Sequence, residues 1–375
     1  MNVPLVDLKW QHEQIAEEVE TGLAEVMAKT AFILGPQVAE FESAFAEYQE
    51  VPHCVGVGSG TDALEMILRA LGIGPGDEVI APANTFIATV LAVTRTGAVP
   101  VLVDSDPVYH QIDVHLAEDA ITPRTRAIMP VHLYGQMAPM APLMELAARH
   151  ELRIVEDAAQ AHGARQDGQT AGSYGAAAGF SFYPGKNLGA YGDAGAVVTH
   201  DPAVCDAVRR IRNWGSDRKY HHPQKGFNSR LDTVQAVILH AKLKRMQEWN
   251  GQRRQAAARY QELLGDLDAL TLPATLPGNE HVWHLYVARV PERDRVLAAL
   301  NENGVGAGIH YPIPIHLQGA YAELGKGEGS FPVAEAAANE ILSLPMFQGI
   351  TPQQQEHVAE VLRAVVGSAA AVGGT

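Results

Sequence analysis

The segment Ser181-Phe182-Tyr183-Pro184-Gly185-Lys186-Asn187-Leu188-Gly189 places a lysine in a Gly/Pro-bent turn directly after an apolar run. A lysine at the end of a core strand is costly unless it does chemistry, because burial disfavours the ammonium form. The same burial lowers its pKa and leaves a nucleophilic amine, as a Schiff-base lysine requires. Upstream, Glu156-Asp157-Ala158-Ala159-Gln160 closes another apolar run, Leu152 to Val155. A carboxylate in that position can keep a pyridinium nitrogen protonated. Together the two residues point to pyridoxal 5'-phosphate (PLP), with Lys186 as its anchor and Asp157 as its ring partner.

Other segments supply what such a cofactor needs. Val57-Gly58-Ser59-Gly60-Thr61-Asp62 passes from an apolar stretch through glycines into a helix-like segment. Free backbone N–H groups and the positive helix end form a cradle for an anion there. The same residues also read as an ordinary N-cap on a strand–helix loop. Phe86 follows another apolar run and can either stack on a planar ring or fill the core. Gln160 can reach a ring face or a phenolic oxygen, and His162 reads as a structural polar contact.

The elements that must hold these residues alternate along the chain. Seven apolar runs, Cys54 to Val57, Glu78 to Ala81, Val99 to Val103, Ala127 to Val131, Leu152 to Val155, Ala178 to Tyr183 and Ala196 to Thr199, are separated by helix-like stretches. This alternation predicts an α/β fold with a mostly parallel, doubly wound sheet. Sites in such sheets gather at the carboxyl ends of strands, where Ser59, Asp157 and Lys186 all fall. The expected division is a large domain over residues 1–245, with an N-terminal helical arm, and a smaller α+β domain over 246–375. Gly367 to Thr375 reads as a frayed tail.

Composition narrows the function classes. The chain has 375 residues, is 47% hydrophobic and 19% charged, and carries a formal net charge of −15, which argues against non-specific nucleic-acid binding. Cys54 and Cys205 fit no metal spacing, and His221-His222 lacks further ligands, so no metal site is expected. The N-terminus has no basic and apolar leader pattern, and no apolar stretch reaches the roughly 18 residues a membrane span needs. A cytoplasmic enzyme without a membrane partner is the expectation.

Two loops remain. Asn213 to His222, containing Arg218, Lys219 and Tyr220, is cationic within an acidic chain and reads as a solvated loop or as a lip for a phosphorylated substrate. Gly308-Ile309-His310-Tyr311-Pro312-Ile313-Pro314-Ile315-His316 is stiffened by prolines and reads as a ligand loop or a connector.

In this order, these segments resemble the DegT/DnrJ/StrS family of sugar aminotransferases. The resemblance extends from Leu5-Val6-Asp7-Leu8 through Phe32-Ile33-Leu34-Gly35-Pro36 to Leu344-Pro345-Met346-Phe347. It implies PLP fold type I, with a seven-stranded sheet in the large domain. It also implies a cofactor site of Gly60, Thr61, Phe86, Asp157, Gln160, Ser181 and Lys186, with Asn228 reaching the phosphate of the neighbouring subunit in a homodimer. The cofactor would pass through pyridoxamine 5'-phosphate, with L-glutamate as amino donor. The loops look like those of enzymes that aminate C3 of nucleotide-linked 3-keto sugars. Tyr183, Arg218, Lys219, Tyr220, His310 and Tyr311 would then hold a dTDP-linked keto-deoxysugar. A cyclitol-ketone aminotransferase, an aminoshikimate-type dehydratase and a non-catalytic regulatory relative are the alternatives.

Overall fold

The computed structural model describes residues 1–372 of the chain. Its centre is a seven-stranded sheet of β1 (His53–Val57), β2 (Glu78–Pro82), β3 (Val99–Val103), β4 (Thr125–Ile128), β5 (Arg153–Asp157), β6 (Ala177–Ser181) and β7 (Gly195–Thr199). The spatial order is β1-β7-β6-β5-β4-β2-β3. β7 alone runs opposite to the other six strands, which therefore end at one edge.

The seven runs in the sequence correspond to these strands, with small shifts at their ends. β4 stops at Ile128 rather than Val131, because Pro130 has no N–H to donate to a ladder. Its carbonyl instead accepts from Asp157 N at 2.9 Å. β5 therefore runs to Asp157 itself, which lies opposite Gly179 of β6.

Helices cover both faces. Before the sheet come α1 (Leu8–Glu13), α2 (Ala16–Lys29) and α3 (Pro36–Tyr48); α4 (Gly60–Ala70) follows β1 and α5 (Ile87–Thr96) follows β2. One apolar cluster joins Phe41 and Phe45 of α3 to Phe180 and Phe182, and another joins Leu64 and Ile67 of α4 to Val55, Val57 and Val197. Burial of these side chains, worth roughly 1.5–3 kcal/mol each, fixes the sheet between its helices.

Beyond helix Thr233–Leu243, the long helix Met246–Leu264 packs with a third cluster around the antiparallel strands Tyr286–Arg289 and Ile341–Leu344. Val3 belongs to this cluster too. Its N–H donates to Gly304 O at 2.8 Å and its carbonyl accepts from Gly306 N at 2.8 Å. The start of the chain is thus stitched to its C-terminal part. The frayed tail expected from Gly367 is instead helical as far as Val372, within helix Pro352–Val372. Ala369, Ala370 and Ala371 are strong helix formers, which accounts for the continuation; residues 373–375 lie outside the described residues.

Candidate active site

The shared strand edge opens into a cavity of about 580 Å³. Ser59, Gly60 and Thr61 reach it after β1, Thr85 and Phe86 after β2, Asp157 and Gln160 from β5, and Ser181, Tyr183 and Lys186 from β6. The N-terminal segment and the C-terminal third of the chain also line it, through Leu5, Val6, His284, Leu285, His310 and Tyr311.

The anion cradle is built by α4. Ser59 caps the helix, its Oγ accepting from Asp62 N at 3.1 Å and its carbonyl from Ala63 N at 3.0 Å. The N–H groups of Gly60 and Thr61 have no protein acceptor among the described residues, and both residues line the cavity. Gly60 also allows close approach: a Cβ there would lie 2.7 Å from Ser181 Cβ. The helix end can therefore press against the end of β6, putting the Ser181 hydroxyl beside two free amides.

Asp157 is 4% exposed. Its Oδ2 accepts from Thr89 Oγ1 at 2.7 Å and its Oδ1 from Ala159 N at 3.1 Å. Burial pushes its pKa up, against these donors and the nearby Lys186. The carboxylate has hydrogen bonds, but a cationic ring nitrogen would offset its desolvation further.

Lys186 sits in a turn closed by its N–H to Tyr183 O at 2.8 Å. Burial lowers its pKa to about 8, although Asp157 opposes the shift. The next residue anchors the turn. Asn187 Nδ2 donates to Asn250 Oδ1 at 3.0 Å and to Val282 O at 2.9 Å, and Asn187 Oδ1 faces His284 Nδ1 at 3.1 Å.

Gln160 is held between two partners. Its Oε1 accepts from Tyr134 N at 2.6 Å, and its Nε2 donates to Tyr311 OH at 3.1 Å. The Tyr311 ring lies 5.1 Å from that of Phe86, which is half exposed at the mouth of the cavity. His162 is fully buried and donates from Nε2 to Ser181 O at 2.9 Å; burial lowers its pKa to about 3. It remains neutral and holds the β6 backbone, in keeping with a structural polar contact.

The predicted substrate residues divide. Tyr183, His310 and Tyr311 line the cavity. Arg218, Lys219 and Tyr220 occupy an exposed loop outside it, where Lys219 Nζ lies 5.2 Å from the centre of the Tyr220 ring. Asn228 is exposed as well and lines a separate crevice with Ile33, Gly58 and Arg230. Within one chain, then, the structure does not bring the 218–220 loop together with His310 and Tyr311.

Several contributors carried no recognisable signal in the sequence. Thr89, in the first turn of α5, meets Thr85 just before the helix, the two hydroxyls being 2.7 Å apart. Leu5, Val6 and His284 arrive only through tertiary packing. Among the described residues, no group of three or more His, Cys, Asp or Glu could hold a metal, and both cysteines are buried and free. No described helix is long and apolar enough to cross a membrane. An anion cradle, a buried carboxylate and a lysine of lowered pKa on one cavity fit the phosphate, ring nitrogen and aldehyde of PLP.

Comparison with known proteins agrees with this chemistry. A family model described as the DegT/DnrJ/EryC1/StrS aminotransferase family matches residues 13–363. The chain is 50% identical to the "Erythromycin biosynthesis sensory transduction protein EryC1" of Saccharopolyspora erythraea, over 97% of this chain and 100% of that protein. It is 49% identical to the "dTDP-3-amino-3,4,6-trideoxy-alpha-D-glucose transaminase" of Streptomyces venezuelae, over 96% of this chain and 95% of the relative. The crystal structure of S. venezuelae DesV in complex with a ketimine intermediate superposes with a TM-score of 0.95 at 49% identity, covering 97% of this chain and 98% of that one. The fold and the cavity are those of a transaminase. The chain belongs to the DegT/DnrJ/EryC1/StrS aminotransferase family.

Proposed function

We propose that the protein is a PLP-dependent transaminase that moves an amino group from L-glutamate to the C3 keto group of a dTDP-linked keto-deoxysugar, working as a cytoplasmic homodimer. The observation that carries this reading is Lys186, its pKa lowered to about 8, on one cavity with Asp157 and the Gly60–Thr61 cradle. The sugar assignment draws on the 49% identity to the S. venezuelae transaminase. The name of the Saccharopolyspora relative suggests a signalling role, but the intact lysine and carboxylate favour turnover here.

When bound, PLP supplies an aldehyde for the amine and a ring that spreads the charge left at the substrate carbon. Gly60 N–H, Thr61 N–H and the Ser181 hydroxyl would hold its phosphate. Asp157 would pair with the ring nitrogen and keep it protonated, while Thr89 and Ala159 N–H hold the carboxylate in place. Gln160 and Phe86 would help to hold the ring. Lys186 would serve as base and acid, its Nζ being placed to take a proton from the donor's α-carbon and to give one back. With a pKa of about 8, roughly a tenth of the amine is neutral at pH 7, so both roles are open to it. In the second half-reaction the same Nζ moves the proton in the opposite sense.

The cationic 218–220 loop and Asn228 serve this reading from the neighbouring subunit. Both are exposed and outside their own cavity, as residues that complete a partner's site must be. The test is to incubate cofactor-loaded protein with L-glutamate and a panel of dTDP-keto sugars and keto-inositols, identifying products by mass and NMR. A 3-amino sugar is expected. Amination of an inositol alone would transfer the reading to cyclitols, and a protein that takes up no PLP would favour a regulatory role.

A further inference from the structure

Lys242, on the helix Thr233–Leu243, is a second buried lysine, 1% exposed. Its Nζ donates to Gly189 O at 2.7 Å and to Gln11 Oε1 at 3.0 Å, and lies 5.0 Å from the centre of the Tyr191 ring. Burial lowers its pKa to about 8, and no neighbouring carboxylate among the described residues opposes the shift. A leucine or methionine would fill this space without desolvating a charge, so what the lysine adds is the donor at Nζ.

That donor holds the far end of the loop that carries Lys186. The loop is closed at its base by Ala190 N donating to Phe182 O and by Phe182 N donating to Ala194 O, both at 2.8 Å. Gly189 lies against the Lys186 turn itself. A Cβ there would run into Pro184 O and come within 2.9 Å of Tyr183 O, the acceptor of the Lys186 N–H. The same helix takes a second hold two turns earlier, where Gln235 Oε1 accepts from Tyr191 N at 2.8 Å. Residues seven apart share a helix face, so Gln235 and Lys242 hold Tyr191 N and Gly189 O from one side.

We infer that Lys242 is a positioning residue for the transamination: by fixing Gly189 O it sets the place of the turn that carries Lys186. The inference rests on the reading of Lys186 as the PLP anchor. The phosphate cradle belongs to the start of α4 and the end of β6 rather than to this turn, so a shift of the turn should impair the amine and spare the cradle. A misplacement of about 1 Å can cost a reaction about 10²-fold.

The test is Lys242→Met, which keeps most of the volume and removes the donor. Imine formation at Lys186 is followed by visible absorbance after PLP is added to cofactor-free protein. Affinity for pyridoxamine phosphate, which forms no imine, is measured by calorimetry, and hydrogen exchange reports the 182–190 peptide against the sheet. The variant should form the imine about 10-fold more slowly or worse, with the glutamate half-reaction slowed alongside. Its affinity for pyridoxamine phosphate should be unchanged, and exchange should rise in the 182–190 peptide but not in the sheet. Lys242→Gln, which keeps a neutral donor, should show a smaller slowing and is read on the same measurements if Lys242→Met does not fold. Imine formation at the wild-type rate overturns the positioning role. So does a parallel loss of pyridoxamine phosphate affinity with faster exchange throughout the sheet, which would make Lys242 a support of the whole fold. A wild type that forms no imine removes the reading of Lys186, and this inference with it.

Discussion

Asp157→Asn separates stability from catalysis at the centre of the site. The substitution keeps the volume and removes one negative charge from a position only 4% exposed. Its amide oxygen can still accept from Ala159 N–H. Thr89 loses an acceptor at Oδ2 but keeps Thr85 Oγ1 as a partner at 2.7 Å. A neutral amide escapes the desolvation that raises the Asp157 pKa, so the cofactor-free variant should match or exceed the wild type in stability near neutral pH, within about 1 kcal/mol. The sign with pH follows from the raised pKa. The protonated carboxyl is the better-tolerated form, so its contribution is fully present below the ordinary carboxylate value near ~3.9 and is lost as pH rises through the higher native value. The wild type should therefore gain on the variant as pH falls through that window. Activity should move the other way. An amide cannot hold the ring nitrogen protonated, and turnover should fall by at least ~10²-fold, about 2.7 kcal/mol of barrier. Thermal denaturation of both cofactor-free proteins across acidic pH, with single-turnover absorbance of the glutamate half-reaction, reads the two effects separately. Near-normal turnover of the variant would refute the role of Asp157.

Three further outcomes are expected. Borohydride should fix PLP to the peptide containing Lys186, and in cofactor-free protein this amine should acylate with a midpoint near pH 8, its lowered pKa; labelling of another lysine, or a midpoint near the ordinary ~10.4, would contradict the assignment. Mixing inactive Lys186→Ala and Asn228→Asp protomers should restore partial activity, because a heterodimer puts both defects in one site and leaves the other intact. No recovery in proven heterodimers would place Asn228 within its own chain's chemistry. Lys219→Ala should raise KM for the nucleotide sugar about 10-fold, the loss of one charge-assisted contact of about 1.4 kcal/mol, while the glutamate half-reaction measured by absorbance stays unchanged. Equal slowing of both halves would remove the 218–220 loop from nucleotide binding.

Much of the fold was legible because it depends on local pattern. Apolar runs separated by helix-like stretches locate the strands of a parallel sheet, and the parallel arrangement alone sends β1, β2, β5 and β6 to one edge. Residues at the ends of those strands or just beyond them, Gly60, Thr61, Phe86, Asp157, Gln160, Ser181 and Lys186, consequently meet around one cavity. The chemistry suited to Lys186, Asp157, the Gly60–Thr61 turn, Phe86 and Gln160 could be read from type and position, whereas Ser181 entered only through the family resemblance. The strand ends were less exact, since Pro130 ends one ladder and leaves its carbonyl to extend another.

The rest of the site depends on contacts between residues far apart in sequence. His284 meets Asn187 across nearly a hundred positions, and Leu5 reaches the cavity only because Val3 pairs with the 304–306 segment. Thr89 becomes a partner of Asp157 because the first turn of α5 meets the end of β5. Such partners have no local period or motif, because a hydrogen bond between distant residues depends on where two elements are placed rather than on either element's own sequence. The sequence by itself determined the strand–helix order and the chemical identity of the strand-end residues. Only tertiary packing decided which carboxylate is desolvated, which lysine has its pKa lowered to about 8 and which apolar side chains line the cavity, because burial and electrostatic environment are properties of the assembled chain.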